Sequence, residues 1–437
     1  MAKKTIKFLR ADTQEGRGFL SALRRRRLDF PKELVDKVSE ILENVKNNGD
    51  KALCEYTKQF DCADFSEKLI KVSSNEVEEA LSEVDQSVLD SLKKARDNIG
   101  AFHERQLPKS WFETKANGTI LGQMVRPVDA AGLYVPGGKG GETPLVSSVL
   151  MNAIPAKIAG VKRIILCTPP GVNARVSPYL LVAAHISGVD EIYRVGSAWA
   201  IAAMAYGTET IPSVDVIAGP GNIFVTIAKK LISGSTGIDM VAGPSEILVI
   251  ADEDAKAEFV AADMLSQAEH DVMATSILVT TSKELANEVE DQLAVQLQSL
   301  KRSEIAEKSL KENGIILIVS SLDEACQIAN TIAPEHLELM VKDPWSLISK
   351  LKHAGAIFLG EYTPEPIGDY IAGPNHVLPT MGTARFSSAL GVETFLKKSS
   401  IISYSKEAFL QDAEDVMALA EIEGLTAHKQ SIKTRLS

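Results

Sequence analysis

The hydrophobic pattern changes along the chain, from helical stripes near the N-terminus to alternating strands and helices further on. From Pro31, apolar residues recur every three or four positions, which predicts a helix that ends at residues 47–49. A second long helix is predicted over about 85–104. Residues 108–119 show neither helical nor strand periodicity, so we interpret them as a connection before the first clear strands.

In the middle of the chain, short apolar runs alternate with glycine-rich turns and apolar helices. The pattern predicts helices over 146–158 and 176–186 and strands over 161–167 and 191–195. A second alternating block contains predicted strands at 276–280, 314–319 and 356–359. Such alternation is typical of βαβ units with a mostly parallel sheet. We therefore predict an α/β fold with two doubly wound, Rossmann-like parallel-sheet domains and helical arms at both ends.

Composition restricts the possible partners. The 437 residues carry a formal net charge of −11 with a pI near 5.3, which argues against nucleic acid or an anionic membrane as the main partner. A small soluble ligand is the better expectation. No secretory h-region follows Met1, and no apolar run approaches the roughly 18 residues of a membrane span, so we expect a cytoplasmic protein. Arg24 to Arg27 are interpreted as part of a solvated arm or a subunit contact.

The four cysteines give no sign of a thiolate metal site or a disulfide framework. They are scattered along the chain without a C-x-x-C pair, at Cys54, Cys62, Cys167 and Cys326. We interpret them as buried thiols in a reducing compartment.

A candidate metal site begins at residues 265–270, which close an apolar run that is predicted to be helical. On such a helix Gln267 and His270 would lie on one face, three residues apart. An amide oxygen and an imidazole nitrogen are neutral ligands that zinc accepts, but two ligands leave a tetrahedral ion half bound. Further donors must therefore come from elsewhere in the chain.

Three other histidines in polar settings, together with nearby acids, could supply those donors. His336 follows Glu335 directly, and both could face one substrate only from a loop or a first helical turn, which the preceding proline permits. Asp369 and His376 share an irregular glycine- and proline-rich stretch, and His428 lies near the C-terminus. Each residue alone is equally well explained as structural. Together they offer metal ligands and a Glu–His pair for proton transfer, whereas the absence of H-E-x-x-H disfavours a zincin hydrolase.

Two glycine-rich loops, residues 134–141 and 219–222, follow predicted strands, where doubly wound sheets bind phosphates. Neither loop is G-x-G-x-x-G. In the second loop, Phe224 occupies the position of the third glycine, and the chain contains no G-x-x-x-x-G-K-[ST]. The pattern alone does not distinguish a dinucleotide site from ordinary βα turns.

Several short motifs then occur in a characteristic order, at residues 132–138, 205–209, 219–222, 242–246, 265–270, 334–337, 368–370, 375–380 and 425–429. With these motifs the sequence resembles the histidinol dehydrogenase family over nearly the whole chain. The resemblance implies a zinc- and NAD-dependent enzyme that oxidises L-histidinol through the aldehyde to L-histidine, the final steps of histidine biosynthesis. It also implies a homodimer in which the C-terminal tail reaches into the partner's site.

The resemblance further implies roles for individual residues. The zinc ligands would be Gln267, His270, Asp369 and His428, and the acid–base pair would be Glu335 and His336. The substrate would contact these ligands and His336, and it would also be held by Ser245, His376 and Glu423. The cofactor would lie at Tyr134, Trp199 and Asn222. Two departures concern this cofactor site: Trp199 stands where the family usually has glutamine, and the loop 139–144 is longer and more polar.

The domain boundaries that we predict for this fold are an N-terminal arm (1–30), a discontinuous first α/β domain (31–133 and 246–390), a second α/β domain (134–245) and a C-terminal tail at the active site (391–437).

The implied chemistry agrees with this set of residues. An alcohol beside an amine can chelate zinc through both heteroatoms, His336 can remove the hydroxyl proton, and Glu335 can activate the water that the aldehyde step consumes. Glu423 suits a substrate cation. Two alternatives are a related zinc- and NAD-dependent dehydrogenase of another small alcohol, such as a sulfonated diol, and a zinc hydrolase. A binding paralogue without turnover would be expected to lack Glu335 or His336, and both are present.

Overall fold

Two parallel sheets and one antiparallel sheet form the framework of the chain. The structure is a computed structural model that describes residues 5–26, 29–137 and 143–436. Its strands are β1 (Lys7–Arg10), β2 (Trp111–Thr114), β3 (Ile120–Pro127), β4 (Ala130–Tyr134), β5 (Arg163–Cys167), β6 (Glu191–Tyr193), β7 (Val216–Ala218), β8 (Gly237–Ile238), β9 (Glu246–Ala251), β10 (Thr275–Thr280), β11 (Ile315–Ile318), β12 (His336–Met340), β13 (Ala356–Leu359) and β14 (Leu396–Ser403).

Fifteen α-helices connect and cover these strands in the described part of the chain. They are α1 (Gln14–Arg25), α2 (Lys32–Phe60), α3 (Ser74–Glu83), α4 (Gln86–Glu104), α5 (Val146–Ala159), α6 (Pro178–Ser187), α7 (Ser197–Tyr206), α8 (Ile223–Ile232), α9 (Ala257–Ala268), α10 (Lys283–Gln296), α11 (Ser303–Asn313), α12 (Leu322–Ile332), α13 (Glu365–Tyr370), α14 (Lys406–Ile422) and α15 (Thr426–Lys433). Among the described residues, no helix combines the length and the apolar character that crossing a membrane requires.

The chain divides into two units. The larger comprises Met1–Gln106 with Asp129–Phe395, and the smaller comprises Leu107–Val128 with Leu396–Ser437. The larger unit contains a six-stranded sheet of order β1-β11-β10-β9-β12-β13 and a five-stranded sheet of order β6-β5-β4-β7-β8, and all pairs in both are parallel. The predicted α/β fold with two parallel sheets is therefore confirmed.

Strand β9 shows why the six-stranded sheet is buried on both faces. All six of its residues are buried, as expected for a parallel strand that is covered by helices on either side. Ile247 and Val249 belong to the apolar cluster on one face, and Leu248 and Ile250 belong to the cluster on the other. This central strand thereby gives the residues at its ends a rigid support.

In the five-stranded sheet, β5 and β6 lie on one side of β4, and β7 and β8 lie on the other, so the order in which the strands are added reverses between β4 and β7. The loops after these two strands therefore flank a switch point, which is where doubly wound sheets bind ligands. The chain between β4 and α5 contains the segment 139–144 noted in the sequence, and residues 138–142 lie outside the described residues.

The predicted helix end at residues 47–49 coincides with a break inside α2: Gly49 has a non-helical conformation (φ 51°), the Glu209 carboxylate accepts the N–H of Asp50 there, and a further helical stretch continues to Phe60. Two other local predictions differ from the structure. The connection predicted over 108–119 contains β2, whose residues are all exposed and so lack an apolar period. The polar start of the chain contains β1, a sheet-edge strand that pairs with β11 and that the pattern does not predict.

The smaller unit is built around the antiparallel sheet, of order β14-β3-β2. The Ser405 hydroxyl caps α14 by accepting the N–H of Ala408 and also donates to the carbonyl of Asn117. Helices α14 and α15 follow β14 and carry the C-terminal motif.

Candidate active site

The predicted acid–base pair lies at the start of β12. His336 is the first residue of this strand, Glu335 precedes it, and both side chains are buried. The sequence predicted a loop or a first helical turn here. Glu335 lies in a bend before β12, whereas His336 belongs to the strand itself, so neither alternative describes His336. Ala333, in the left-handed region at φ 52°, ends α12, and the chain passes from Pro334 directly into the strand.

Hydrogen bonds hold the two side chains in defined orientations. Glu335 Oε2 accepts the backbone N–H of Glu246 at 2.9 Å. His336 Nδ1 lies 3.2 Å from the Glu246 carbonyl oxygen and 3.1 Å from Gln267 Oε1. Because both neighbours are acceptors, this contact assigns the proton of the neutral ring to Nδ1. His336 Nε2 is buried, has no partner among the described residues and carries the lone pair of a potential base.

Burial changes the pKa of both groups. It lowers the pKa of His336 to about 3, so the imidazole is neutral near pH 7 and can accept a proton. Burial also raises the pKa of Glu335 well above the usual range of a glutamate, and the N–H of Glu246 only partly opposes this effect. A carboxylate with a raised pKa is a stronger base towards water than an exposed one.

Gln267 and His270 are not both on the helix that the sequence predicted for them. Helix α9 ends at Ala268, with Gln267 fully buried inside it and His270 exposed beyond its end. The Asp271 side chain accepts the N–H of Met273 at 2.8 Å and so favours a turn instead of a further helical turn. His270 remains close enough to influence the pKa values of His336, His376 and Glu365.

A second set of acids comes from the short helix α13. Glu365 and Asp369 lie four residues apart on it and interact through their carboxyl groups, and Ser266 donates to Glu365 Oε2 at 3.1 Å. Burial raises the pKa of Glu365 to about 7 and that of Asp369 to about 6. His376 Nδ1 lies 3.1 Å from the Asp369 carbonyl oxygen, and its Nε2 lies 3.3 Å from the Ser148 hydroxyl.

These side chains can hold a metal ion. The ligand atoms of His336, Glu365 and Asp369 all lie within 4.8 Å of one another. Gln267 adds a buried amide whose nitrogen lacks a partner in the described part of the chain. Nitrogen and oxygen donors of this kind suit a borderline divalent cation. Glu365 was not predicted from the sequence, although its spacing of four residues before Asp369 after a proline is a usable signal.

The residues predicted to contact a cofactor lie around the carboxyl edge of the five-stranded sheet. Tyr134, the last residue of β4, is buried, and its hydroxyl accepts the N–H of Ser197 at 3.0 Å. The side chain of Asn222 caps α8 by accepting the N–H groups of Phe224 and Val225. Trp199 is buried on α7, where its ring stacks against those of Tyr56 and Phe60 at centroid distances of 5.7 and 5.6 Å.

Comparison with known proteins identifies the family. The sequence profile described as Histidinol dehydrogenase matches residues 24–436. The histidinol dehydrogenase of Desulfotalea psychrophila is 55% identical over 424 residues, which cover 97% of this chain and 98% of that protein. This chain belongs to the histidinol dehydrogenase family.

Two further comparisons extend this similarity along the whole chain. The histidinol dehydrogenase of Clostridium acetobutylicum is 50% identical over 430 residues, which cover 98% of this chain and 99% of that protein. The crystal structure of histidinol dehydrogenase from Elizabethkingia anophelis superposes with a TM-score of 0.93 at 36% identity, covering 100% of this chain and 99% of that one. The predicted family and the predicted class of enzyme, a dehydrogenase, are confirmed.

The remaining residues that the histidinol dehydrogenase resemblance implies lie in two places. Ser245 immediately precedes β9, and its carbonyl accepts the N–H of Thr275 at 3.0 Å. Glu423 and His428 lie in the smaller unit, at the end of α14 and within α15, and both are exposed there. The four cysteines are buried and free, as predicted.

Proposed function

We propose that this protein oxidises L-histidinol through L-histidinal to L-histidine, the final steps of histidine biosynthesis, with two NAD per turnover and one zinc ion per subunit. The observation that carries the proposal is the buried Glu335–His336 pair beside the amide and carboxylate donors of Gln267 and Asp369, in a chain that belongs to the histidinol dehydrogenase family.

For the zinc ion we propose the ligands Gln267, His270, Asp369 and, from the tail, His428. This set shares only Asp369 with the three residues whose donor atoms converge, and the difference has a chemical reason. His336 is reserved for proton transfer, and Glu365 orients Asp369 through the contact between their carboxyl groups. When bound, zinc polarises oxygen atoms and orients a chelating substrate.

In the alcohol step, His336 is the base. Its Nδ1–H is held by the Glu246 carbonyl and by Gln267, so its Nε2 is directed by two contacts and can take the hydroxyl proton of the substrate. NAD, when bound, would supply the acceptor for the hydride that leaves the carbon bearing this hydroxyl group. Burial keeps the imidazole neutral before the reaction and excludes competing water.

In the aldehyde step, Glu335 is the base that activates water. Its Oε2 is held by the N–H of Glu246, which leaves Oε1 to take a proton as water adds to the carbonyl carbon. The carbon of the resulting hydrate still bears one hydrogen, which a second NAD, when bound, would accept as hydride while a hydroxyl proton passes to a base. Ser245, His376 and Glu423 are proposed to hold the imidazole and amino groups of the substrate.

For NAD we propose a site at the carboxyl ends of β4 and β7, with Tyr134, Trp199 and Asn222 as its predicted contacts. The reversal of strand order at these two strands supports this location. Stacking with Tyr56 and Phe60 fixes the Trp199 ring, so the ring would not need to reorient to contact NAD.

We further propose a homodimer in which the tail of each subunit contributes Glu423 and His428 to the other subunit's site. Support comes from the exposure of both residues and of the apolar side chains Leu419, Ile422 and Leu425 around them. The predicted domain boundaries and the cytoplasmic location stay predictions.

The experiment is a substrate panel followed by the absorbance of NADH. L-histidinol should give NADH, whereas a sulfonated diol should give none, and an ester or amide of histidine should not be hydrolysed. Dialysis against a chelator should remove the activity, and added zinc should restore it. Turnover of the diol without turnover of histidinol, or hydrolysis that needs no NAD, would reject the proposal.

A further inference from the structure

The backbone of Glu246 contacts both members of the acid–base pair. Its N–H donates to Glu335 Oε2 at 2.9 Å, and its carbonyl oxygen lies 3.2 Å from His336 Nδ1. Glu246 is the first residue of β9, so its position depends on how the beginning of this strand is held. A displacement of this one residue would therefore move the carboxylate and the imidazole together.

The side chain of Glu246 is anchored on two segments outside the sheet. It is almost completely buried, and its Oε2 lies 2.9 Å from Arg26 Nη2, while its Oε1 accepts the N–H of Met381. Arg26 follows α1, and its Nη1 also lies 3.9 Å from Met381 Sδ. A single buried carboxylate thus joins the N-terminal segment, the stretch after His376 and the central strand of the sheet.

The ion pair between Arg26 and Glu246 is costly to break. A buried carboxylate that loses its cation is strongly unfavourable, so removal of Arg26 would force Glu246 to reorient or to take up a proton. Met381 has φ 55°, a left-handed conformation that is unfavourable for a non-glycine residue unless its surroundings hold it. The hydrogen bond from its N–H to Glu246 is one such restraint.

We propose that the Arg26–Glu246 ion pair is a positioning device that fixes Glu335 and His336 in their reactive orientations, an inference that rests on the proposed function. Arg26 acts through Glu246 and is a positioning residue. Within the arginine run near the N-terminus, Arg26 therefore has a defined internal role, whereas its neighbour Arg25 is exposed.

The test uses the intact, zinc-loaded protein and compares Arg26→Ala with Arg25→Ala, which removes the same charge one residue earlier at an exposed position. Arg26→Ala should lower kcat for histidinal oxidation by about 10- to 100-fold, the scale expected when reacting groups are displaced by about 1 Å. The loss should fall mainly on kcat, with smaller changes in KM and zinc content, because the metal ligands are themselves unchanged and the pair positions the two proton-transferring groups. Arg25→Ala should behave like the unmodified protein.

Restoration of the missing group separates positioning from a general loss of structure. Guanidinium chloride, far below the concentrations that unfold proteins, should recover part of the kcat of Arg26→Ala and should leave Arg25→Ala unchanged. Arg26→Lys should retain more kcat than Arg26→Ala because it keeps a cation. If Glu246→Gln is added to Arg26→Ala, the further loss should be small, since both changes break one pair.

Three results are decisive. Equal kcat values for Arg26→Ala and Arg25→Ala would overturn the positioning role. A loss that neither guanidinium nor Arg26→Lys relieves would overturn it as well, because it would indicate a general defect in folding. An unmodified protein that makes no NADH from histidinol would instead contradict the proposed function itself.

Discussion

The assignment of separate tasks to Glu335 and His336 depends on burial, which acts oppositely on an acid and on an imidazole. It raises the pKa of Glu335 and lowers that of His336 to about 3. Glu335→Gln keeps the shape of the side chain and an amide oxygen that can accept the N–H of Glu246, but it removes the basic carboxylate oxygen. We expect the oxidation of histidinal to slow by about 10²- to 10⁴-fold, and the oxidation of histidinol to histidinal to slow much less.

Rapid-mixing measurement of NADH from each substrate checks this expectation, with His336→Asn as the matched variant. His336→Asn should impair the alcohol step at least as strongly as the aldehyde step. Equal losses in both steps for Glu335→Gln would show that the carboxylate organises the site generally and would remove the division of tasks.

Asp61 provides a prediction about stability at the scale of one residue. It caps the C-terminal end of α2, where a negative charge is unfavourable, and burial raises its pKa to about 6. A raised pKa in the folded state gives a stabilising contribution that is complete below the unfolded-chain pKa of 3.8 and is lost as the pH rises through about 6. At pH 7 the buried charge therefore destabilises the fold.

Asp61→Asn should raise the free energy of unfolding at pH 7 by about 1–2 kcal/mol, allowing for the partial exposure of the side chain, and should change it little at pH 4. Melting temperatures at the two pH values, converted to free energies of unfolding, measure the effect. Asp64→Asn, at an exposed position nearby, should change the free energy of unfolding by no more than about 0.5 kcal/mol at either pH. A gain at pH 4 as large as that at pH 7 would exclude titration of Asp61 as the cause.

At the residue scale, sequence motifs predicted side chains that the structure brings together, but they did not predict the side chains that support them. Gln267, His336, Asp369 and His376 were predicted, and the structure brings them into one network of contacts. Glu365, Glu246 and Arg26 were missed because a sequence does not show which of many acidic or basic side chains points inward. Only Glu365 carried a local signal, its helical spacing from Asp369.

At the scale of elements, the turn at Gly49 inside α2 is a sharp test of the fold. Gly49 has φ 51°, and a Cβ there would overlap the carboxylate of Glu209, which accepts the N–H of Asp50. Gly49→Ala should therefore lower the free energy of unfolding by about 1–3 kcal/mol.

The matched control for Gly49→Ala is Gly100→Ala. Gly100 lies in α4, and a Cβ added there would meet open space, so the added methyl group should leave stability unchanged or raise it by up to about 1 kcal/mol. Chemical unfolding of both variants measures the difference. Equal effects would contradict the kinked geometry of α2.

The elements that could be predicted are those with long or fully buried patterns. Helices such as α4 and α5 and buried strands such as β5 fall within a few residues of their predicted positions. β1 and β2 have four residues each and lie at sheet edges, where one side is open and the apolar period is weak. The end of α9 was missed because the turn at Asp271 competes with the helix through a side-chain contact.

For the whole molecule, the proposed exchange of tails between subunits predicts complementation. A His428→Ala chain and a Glu335→Ala chain, mixed and allowed to exchange, should form heterodimers with both defects in one site and an intact second site. Activity should partly return, up to about half of normal per heterodimer, because one of its two sites is whole. Heterodimers that form without recovery would indicate that each site is built from one chain.

The central proposal for the whole molecule is that one site completes both oxidations. The most direct measurement is the end point of the reaction of a limiting amount of L-histidinol with excess NAD, with NADH followed by absorbance and the product identified by mass. We expect two NADH for each histidinol and L-histidine as the product. One NADH with accumulated aldehyde, or none, would contradict it.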